Sequence, residues 1–440
     1  MNNEEFVGLV AEWYSTRDPK PRFVPGEVYI PPSGKIWGVE EIRNGVLAVL
    51  DGWWTEGRWT DEFEHNLSRY LGVRHVSMCN SGSSANLLAL AALMSPLLGD
   101  KRLMPGDEVI TAAAGFPTTI NPIIQLGLVP VFIDVKIGTY VPTIEQIQEA
   151  TGPKTRAIML AHTLGNPWPI TKDKDHSLWL IEDNCDALGS MLGGRFTGTW
   201  GHVATQSFYP AHHITTGEGG AVITSNSKIH KAVESLRDWG RDCWCPPGHE
   251  NTCGKRFEQE WEHLPNGYDH KYVYSHLGYN LKSTDLQAAI GVAQLEKAEM
   301  FRRQRIENFK YMWHKIRRMG LDEYFILPIP SDDSIPNWFG FPLTIDLKSD
   351  IDREELMRFL TKKKIGVRLL FAGNYLYQPV FRDLIETGRL KDHRVVGNLP
   401  STRRIMRDTF WIGCWPGVTT EMMDYMIDTL RGFCRGLQPA

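Results

Sequence analysis

The sequence predicts an α/β fold with a large, mostly parallel sheet domain and a smaller carboxy-terminal α/β domain. From about residue 75, short apolar runs rich in β-branched residues alternate with stretches of helical periodicity, which is typical of βαβ units. A long helix then begins near Ser283, and a second, shorter set of strands and helices follows it. The 440 residues are ample for more than one structural layer or domain.

In the first set, helices are predicted between most of the strands, as after Ser83 and Thr118. The predicted strands of this set are residues 75–79, 108–112, 130–135, 157–161, 178–182, 204–208 and 220–224. The long helix runs past Phe301, and the second set has predicted strands at 340–345, 367–371 and 409–412 and helices at 353–363 and from Thr420. The chain thus divides into an amino-terminal arm or lid at 1–70, a large domain at 71–300 and a small domain at 301–440.

Composition and charge exclude several classes of protein. The formal net charge of −4 argues against a nucleic-acid binder, which would carry a basic face. The amino terminus, MNNEEFVGLV, lacks the basic start and apolar core of a signal peptide. The longest apolar run, residues 87–98, is interrupted by Ser-Pro and is too short to span a membrane. We therefore expect a cytoplasmic protein that binds neither nucleic acid nor membrane.

The seven cysteines do not form the pattern of a disulfide framework, because their number is odd and no signal peptide precedes them. Three of them crowd into residues 243–253, and from the residues alone this cluster has three interpretations: a zinc site, reduced structural thiols or an iron–sulfur site. Zinc fingers favour ligands two to four residues apart, whereas one residue separates Cys243 from Cys245. Cys79, Cys414 and Cys434 are predicted to be core thiols.

Candidate functional residues follow the predicted strands, where ligands bind in open α/β sheets. NSGSSAN follows Cys79 and could hold a phosphate at a helix start, although a plain strand–turn–helix corner explains it equally well. In AAAGFPTT, Phe116 stands among small residues. Its ring could stack on a planar cofactor or could pack in the core. LWLIEDNCDALG ends its strand with Glu182 and Asp183, and a buried acid there needs a partner such as a protonated pyridine nitrogen.

The fourth segment is SFYPAHHITTGEGG, in which two histidines precede a glycine-rich turn. In this order and spacing, and with LGYNLKSTDLQAAIGVAQL further along, the segments resemble the sugar-nucleotide aminotransferase (DegT/DnrJ/EryC) family of fold type I pyridoxal-phosphate enzymes. The resemblance covers nearly the whole chain. It implies that the large domain binds the cofactor and that the protein is a homodimer.

The resemblance also implies roles for individual residues. Phe116 would stack on the pyridine ring, Asp183 would pair with its nitrogen, and Asn280 would reach the phosphate of the neighbouring subunit. The cofactor phosphate would be held by Gly82, Ser83, Ser84 and Ser207.

His212 is the departure from the family pattern, because it stands where the family has the lysine that binds the cofactor covalently. An imidazole cannot replace that bond, but it can act as a base near neutral pH. A histidine here resembles the 3-dehydrases of nucleotide-linked 4-keto-6-deoxyhexoses, which use pyridoxamine phosphate (PMP) and whose histidine removes a proton from the cofactor methylene. His213 is expected to have a supporting or packing role.

The spacing C-x57-C-x-C-x7-C, formed by Cys185, Cys243, Cys245 and Cys253, resembles the 2Fe–2S motif of the iron–sulfur members of that branch. Those members act on CDP-4-keto-6-deoxyglucose in 3,6-dideoxyhexose synthesis. The resemblance implies a separate NADH-dependent flavin and iron–sulfur reductase as electron donor. His249 is a less favoured substitute ligand. A TDP-sugar relative also carries a cluster, and a GDP-sugar relative lacks one.

Substrate contacts are expected from Tyr209, Phe339, Arg368 and Arg404, with packing as the alternative for each. Three functions follow in order of preference. The first is a sugar-nucleotide 3-dehydrase dependent on PMP and a 2Fe–2S cluster. The second is an ordinary aminotransferase, against which the missing lysine argues. The third is a non-catalytic, zinc-stabilised protein that kept the fold.

Overall fold

The computed structural model describes residues 3–16, 22–170, 178–243, 245 and 248–436. The α-helices in these ranges are α1 Asn3–Ser15, α2 Val39–Leu50, α3 Arg58–Leu71, α4 Gly82–Leu93, α5 Pro117–Gln125, α6 Ile144–Ala150, α7 Ser227–Arg237, α8 Asp285–Glu296, α9 Ala298–Arg318, α10 Arg353–Lys362, α11 Pro379–Glu386, α12 Pro400–Asp408 and α13 Thr420–Gly436. None of these helices is both long enough and apolar enough to cross a membrane.

The strands fall into three sheets. They are β1 His75–Cys79, β2 Glu108–Ala112, β3 Val129–Ile133, β4 Thr155–Ala161, β5 Trp179–Asp183, β6 Met191–Leu192, β7 Arg195–Phe196, β8 Val203–Ser207, β9 Gly220–Thr224, β10 Phe325–Ile326, β11 Ser334–Ile335, β12 Phe341–Ile345, β13 Val367–Leu369, β14 Arg394–Val395 and β15 Thr409–Ile412. The predicted strands of both domains are present, each within two residues of its expected bounds.

The main sheet has eight strands in the order β1-β9-β8-β5-β4-β2-β3-β14. All its pairs are parallel except the two that β9 makes with β1 and β8. The predicted mostly parallel α/β sheet is therefore confirmed. Because β9 alone runs against the others, the carboxyl ends of β1, β8, β5, β4 and β2 meet at one edge of the sheet.

The carboxy-terminal region forms a separate antiparallel sheet in the order β10-β12-β15-β13. Its core is built from aromatic and aliphatic side chains of this sheet, α9, α10 and α13. One short strand of the same region, β14, leaves that sheet and pairs with β3 of the main sheet. This pairing joins the carboxy-terminal region to the main sheet.

The single long helix expected near Ser283 is instead two helices, α8 and α9, which meet at Lys297. The two helices serve different parts of the fold. Helix α8 packs against α2 and α3, whereas α9 packs against α13 of the small domain. Lys297 also bonds Glu41 of α2 through its ammonium group at 2.7 Å, so the break coincides with an anchor between helices.

The amino-terminal arm is fastened to the large domain by the first residue of α8. The buried carboxylate of Asp285 accepts hydrogen bonds from the backbone N–H groups of Gly57, Trp59 and Thr60, at 2.9, 3.1 and 2.9 Å. These donors belong to the first turn of α3, whose N–H groups have no partner within the helix. Asp285 thus caps α3 from another element and fixes the arm in place.

Candidate active site

Three strand ends bring the chemistry-bearing residues to one edge of the main sheet. Strand β1 leads through Asn80 and Ser81 into α4, β5 ends at Asp183, and β8 ends at Ser207. These strands lie close together in the sheet order, separated only by the short β9 between β1 and β8. Three of the four segments singled out in the sequence therefore converge, and the fourth, which carries Phe116, follows β2 at the same edge of the sheet.

The adjacent acids Glu182 and Asp183 face opposite sides of the sheet, because side chains alternate along a strand. Glu182 is fully buried and accepts from the N–H groups of Gly198, Trp200 and Gly201 at 2.7, 2.7 and 2.6 Å. In addition, Oε2 of Glu182 lies 3.0 Å from Nε2 of His162. Glu182 is therefore a structural anchor, and Asp183 is the acid available to the pocket.

Asp183 is held by two helices. Its Oδ2 accepts from Asn86 of α4 at 2.9 Å and from the Thr119 hydroxyl of α5 at 2.6 Å. Its Oδ1 accepts from the backbone N–H of Cys185 at 3.2 Å. Hydrogen bonds from three donors fix the orientation of the carboxylate. Asp183 is only 4% exposed, so a cationic ring nitrogen would have little competition from water.

The first turn of α4 packs directly against the end of β8. A Cβ atom on Gly82 would lie 2.5 Å from the Cβ of Ser207, so only glycine permits this approach. Ser81 caps the helix by accepting from the Ser84 N–H at 3.1 Å. The remaining N–H groups at the helix start and the serine hydroxyls form a cradle suited to a phosphate.

Phe116 sits immediately before α5 and is 46% exposed. Thr119, in the first turn of the same helix, bonds Asp183, so the Phe116 ring lies at the rim of the Asp183 pocket. Its described ring contact is an edge-on approach to Phe371 of the small domain at 5.8 Å. One face of the ring is thus available for stacking on a planar ligand.

His212 lies in the turn after β8, between three groups that define its environment. Its Nδ1 is 3.4 Å from Oδ1 of Asp186, although the two atoms are not aligned for a hydrogen bond. Its ring packs at 5.2 Å from Phe339, and Tyr209 approaches edge-on at 6.4 Å. Arg305 stabilises this turn, because its guanidinium donates a hydrogen bond to the His212 carbonyl oxygen at 3.4 Å.

Burial sets the protonation of both members of the His212–Asp186 pair. Burial, with Arg305 adding to it, lowers the pKa of His212 to about 4 against the opposing charge of Asp183. Burial and the nearby Asp183 carboxylate raise the pKa of Asp186 to about 7. Near neutral pH, His212 is therefore a neutral imidazole with a free lone pair, and Asp186 titrates beside it.

His213 is buried and has contacts of its own. Its Nε2 lies 2.7 Å from the carbonyl oxygen of Asn337, and its ring packs near Phe339. The packing role expected for His213 fits these contacts. The same stretch is fixed by the buried Arg305, which donates to the carbonyl oxygens of Trp338 and Phe339 at 3.3 and 3.2 Å.

The cysteine loop forms a second cluster. The Sγ atoms of Cys243 and Cys253 lie 3.5 and 3.4 Å from Nε2 of His270, and Cys245 belongs to the same group. Burial acts to raise the pKa of Cys245, but hydrogen bonds from Thr252, Cys253 and Cys243 outweigh it and lower the pKa to about 6. Cys185, in contrast, lies in the Asp183 pocket, with its Sγ 3.1 Å from where a Gly82 Cβ would stand.

The remaining candidate residues are more dispersed. Tyr209 is exposed and Phe339 is buried beside His212. Arg404 donates to the Ile345 carbonyl at 2.8 Å and pairs with Asp408, while Arg368 lies exposed on β13. Asn280 is exposed next to Asp238, on a segment that includes the 96% exposed Leu277.

The comparisons with known proteins agree with this geometry. Residues 38–431 match the DegT/DnrJ/EryC1/StrS aminotransferase family. The chain belongs to this family. It is an enzyme family, and its α/β architecture is the one found here.

Three similar proteins indicate which members of the DegT/DnrJ/EryC1/StrS family the chain resembles. The lipopolysaccharide biosynthesis protein RfbH of Salmonella typhimurium is 53% identical over 98% of this chain and 97% of its own. The dTDP-4-dehydro-2,6-dideoxy-D-glucose 3-dehydratase of Saccharopolyspora spinosa is 48% identical over 96% and 90%. The E. coli GDP-4-keto-6-deoxy-D-mannose-3-dehydratase with bound hydrated pyridoxal phosphate (PLP) superposes with a TM-score of 0.78 and 26% identity, over 92% of this chain and 99% of that one.

Sequence reasoning missed several residues of this pocket. Asn86 and Thr119 hold Asp183 from helices far away in the chain, and Asp186 and Arg305 shape the surroundings of His212. Asp186 carried a local signal, because it lies three residues after Asp183 at a strand end. His270 carried none, since its closeness to the cysteines arises only when the loop folds.

The contact between Gly82 and Ser207 generates a prediction about cofactor affinity. Replacing Gly82 with alanine should push Ser207 away from the helix start and distort the phosphate cradle. Overpacking of about 1–3 kcal/mol corresponds to PLP or PMP binding weakened by about tenfold or more. Titration of the apoprotein with PLP, followed by absorbance, measures this effect.

Gly432→Ala in α13 is the matched control, because a Cβ there meets nothing within 4 Å. This control should bind the cofactor as the wild type does. Unchanged affinity in a folded Gly82→Ala protein would place the phosphate elsewhere.

Proposed function

We propose that this protein removes the carbon-3 hydroxyl of a nucleotide-linked 4-keto-6-deoxyhexose, with PMP as cofactor. The observation that carries the proposal is the neutral His212 at the family's lysine position, inside a pocket whose other cofactor-binding features are kept. Two of the similar proteins described above are named as 3-dehydratases of 4-keto sugar nucleotides, which supports the assignment. CDP is the nucleotide we assign, from the resemblance of the sequence to the iron–sulfur members that act on a CDP-linked sugar.

Bound PMP supplies an amine for carbon 4 of the sugar and a conjugated ring that takes up electron density. Gly82, Ser83, Ser84 and Ser207 would hold its phosphate. Phe116 would stack on one face of the ring, and Asp183 would pair with the ring nitrogen. Because Asn86 and Thr119 already fix the Asp183 carboxylate, little reorganisation is needed when charge develops.

His212 takes the proton from the cofactor methylene. Its pKa of about 4 leaves the imidazole neutral, and Nδ1 faces Asp186, so Nε2 is the nitrogen that accepts the proton. The ionised form of Asp186 stabilises the imidazolium that results. A lysine in this place would favour return of the proton to carbon and release of an amine, whereas a histidine with no covalent tether favours loss of the carbon-3 hydroxyl.

The sugar then needs two electrons to become the 3-deoxy product. We propose that an NADH-dependent flavin and iron–sulfur reductase supplies them through a 2Fe–2S cluster bound at the cysteine loop. The sum of the reaction is that the 4-keto-6-deoxyhexose, NADH and a proton give the 4-keto-3,6-dideoxyhexose, NAD⁺ and water. The carbon–oxygen bond at carbon 3 breaks, and a carbon–hydrogen bond replaces it.

We also propose that the enzyme works as a homodimer. Asn280 is exposed at the edge of its own chain, and Leu277 beside it is almost fully exposed. An exposed leucine next to a polar residue expected at a phosphate is explained if the segment docks on a second copy. Tyr209, Phe339, Arg368 and Arg404 remain our candidates for the sugar nucleotide.

His212→Asn tests the base. Exchange of the PMP methylene proton with labelled water, in the presence of the sugar nucleotide, should fall by about 10² to 10⁴. Cofactor affinity should stay near the wild-type value, because phosphate, ring and nitrogen contacts come from other residues. Exchange is followed by NMR. Exchange at the wild-type rate would remove His212 from this role.

Asp186→Asn tests whether Asp186 acts on His212, through the pH dependence of the exchange rate. Since the pKa of Asp186 is raised to about 7, the helpful carboxylate form is present above pH 7 and is lost as the pH falls through 7. The wild-type exchange rate should therefore rise between pH 6 and 8. In Asp186→Asn it should be flat, and about 10- to 100-fold lower at pH 8, as expected when a nearby negative charge that stabilises the imidazolium is lost.

Asp332→Asn, an exposed change far along the chain, is the control and should keep the wild-type profile. A wild-type profile in Asp186→Asn would show that Asp186 does not act on His212.

A further inference from the structure

The short connection from β2 to α5, which ends in Phe116, is held by the backbone of the small domain. The carbonyl oxygen of Ala113 accepts a hydrogen bond from the N–H of Tyr375 at 2.9 Å. The carbonyl oxygen of Gly115 accepts one from the N–H of Ala372 at 3.4 Å. Both bonds reach the chain immediately before α5, so they restrict where the helix begins and where the Phe116 ring lies.

The side chain of Tyr375 makes a third link to the same part of the chain. It is buried, and its hydroxyl donates to Oδ1 of Asn121 in the middle of α5. Its ring packs against Phe132 of β3 and Phe381 of α11, with ring centroids 6.2 and 5.8 Å away. Because this packing fixes the ring, it also fixes the direction of the hydroxyl bond to α5.

Helix α5 depends on outside contacts, because it has few hydrogen bonds of its own. It spans nine residues, fewer than the roughly 12–15 that an isolated helix needs in water, and it contains Pro122, whose nitrogen cannot donate to the preceding turn. Thr119 bonds the Asp183 carboxylate at 2.6 Å. Asn121 lies two residues further along, and therefore on nearly the opposite side of the helix, where it accepts from the Tyr375 hydroxyl. The large domain and the small domain thus hold α5 from two sides.

The turn before Tyr375 also brings a second ring to Phe116. Phe371 approaches Phe116 edge-on, with ring centroids 5.8 Å apart and ring planes at 75°. The φ of Phe371 is +46°, a left-handed conformation that bulky residues rarely adopt. Strained backbone of this kind persists only where the surrounding contacts impose it, and here it directs an aromatic ring at Phe116.

We infer that Tyr375 is a positioning residue for the cofactor ring. Through Ala113 and Asn121 it fixes the start of α5, and thereby the orientation of the Phe116 ring. The inference rests on the proposed function in that Phe116 is taken to be the residue that stacks on the cofactor. Tyr375 acts through Phe116 and not by contact with the cofactor.

The test measures PLP binding by the full-length apoprotein, from the change in absorbance and from the circular dichroism that a fixed environment induces in the bound cofactor. Tyr375→Phe deletes the hydroxyl and keeps the ring, so the fold should be kept. PLP should bind about 3- to 10-fold more weakly, as expected for the loss of one hydrogen bond, and the induced signal should fall. Asn121→Ala removes the other end of the same bond and should have a similar effect.

Tyr311→Phe is the matched control. The Tyr311 hydroxyl also donates to one side chain of the small domain, that of Asp424, but this bond joins α9 to α13. The control should bind PLP with the wild-type affinity and give the wild-type induced signal.

A double-mutant cycle separates positioning of the ring from a general loss of order. Phe116→Ala should weaken PLP binding by about tenfold, because the stacking contact is lost. In that background, adding Tyr375→Phe should change the affinity no further, since the ring through which Tyr375 acts is gone. An equal loss in both backgrounds would show that Tyr375 has a structural role only. Wild-type affinity and induced signal in Tyr375→Phe would also overturn the inference.

These outcomes are distinguishable from failure of the proposed function. If Phe116→Ala weakens PLP binding and Tyr375→Phe does not, the stacking role of Phe116 stands and the inference fails. If all variants behave as expected but the loaded wild type makes an amino sugar, the positioning role of Tyr375 stands and the proposed dehydration fails. If Phe116→Ala binds PLP as the wild type does, the stacking role of Phe116 fails and the inference fails with it.

Discussion

The fixed carboxylate of Asp183 is the constraint around which the pocket is organised. A buried acid at the end of a central strand is unfavourable without partners, and this one takes them from α4, α5 and the following loop. The same hydrogen bonds that satisfy Asp183 also set the position of the first turn of α4, where Gly82 meets Ser207, and of α5, which carries Phe116. The sites we propose for the phosphate, the ring and the ring nitrogen are therefore one connected unit.

We propose that His212 changes the reaction of this pocket, while the arrangement of the residues around Asp183 stays the same. Lysine would need to be uncharged to attack the cofactor, whereas burial already makes His212 neutral near physiological pH. Arg305 and Asp183 act on the protonation of His212 in opposite ways. Arg305 holds the backbone of the turn and disfavours the imidazolium, while the Asp183 carboxylate favours it. We propose that the ionised form of Asp186, 3.4 Å from Nδ1, stabilises the imidazolium once His212 has accepted a proton.

Much of the fold follows from the sequence because strand identity depends on local patterns. The buried strands are short runs bounded by turns, so 75–79, 108–112 and 220–224 were predicted with the bounds observed. The break at Lys297 was not, since both flanking helices have helical periodicity and the cause is their packing against different domains. The pocket motifs were found from their order along the chain.

The partners of those motifs could not be found in this way. Asn86, Thr119 and Arg305 are ordinary helix residues in the sequence, and only the tertiary fold directs their side chains at Asp183 and His212. The spacing of the cysteines likewise gave no sign that the folded loop brings His270, seventeen residues beyond Cys253, to within 3.4 Å of the Cys253 sulfur. Local patterns indicate which residues can do chemistry, and topology decides which of them meet.

We propose that a histidine in an aminotransferase pocket directs the reaction to loss of oxygen. The most direct test is the NMR structure of the sugar formed from CDP-4-keto-6-deoxyglucose by the protein loaded with PMP, iron and sulfide, with NADH, the reductase and glutamate all present. We expect a product without the carbon-3 hydroxyl and with no amino group. A 4-amino sugar that keeps its carbon-3 hydroxyl would show that His212 does not direct the reaction in this way.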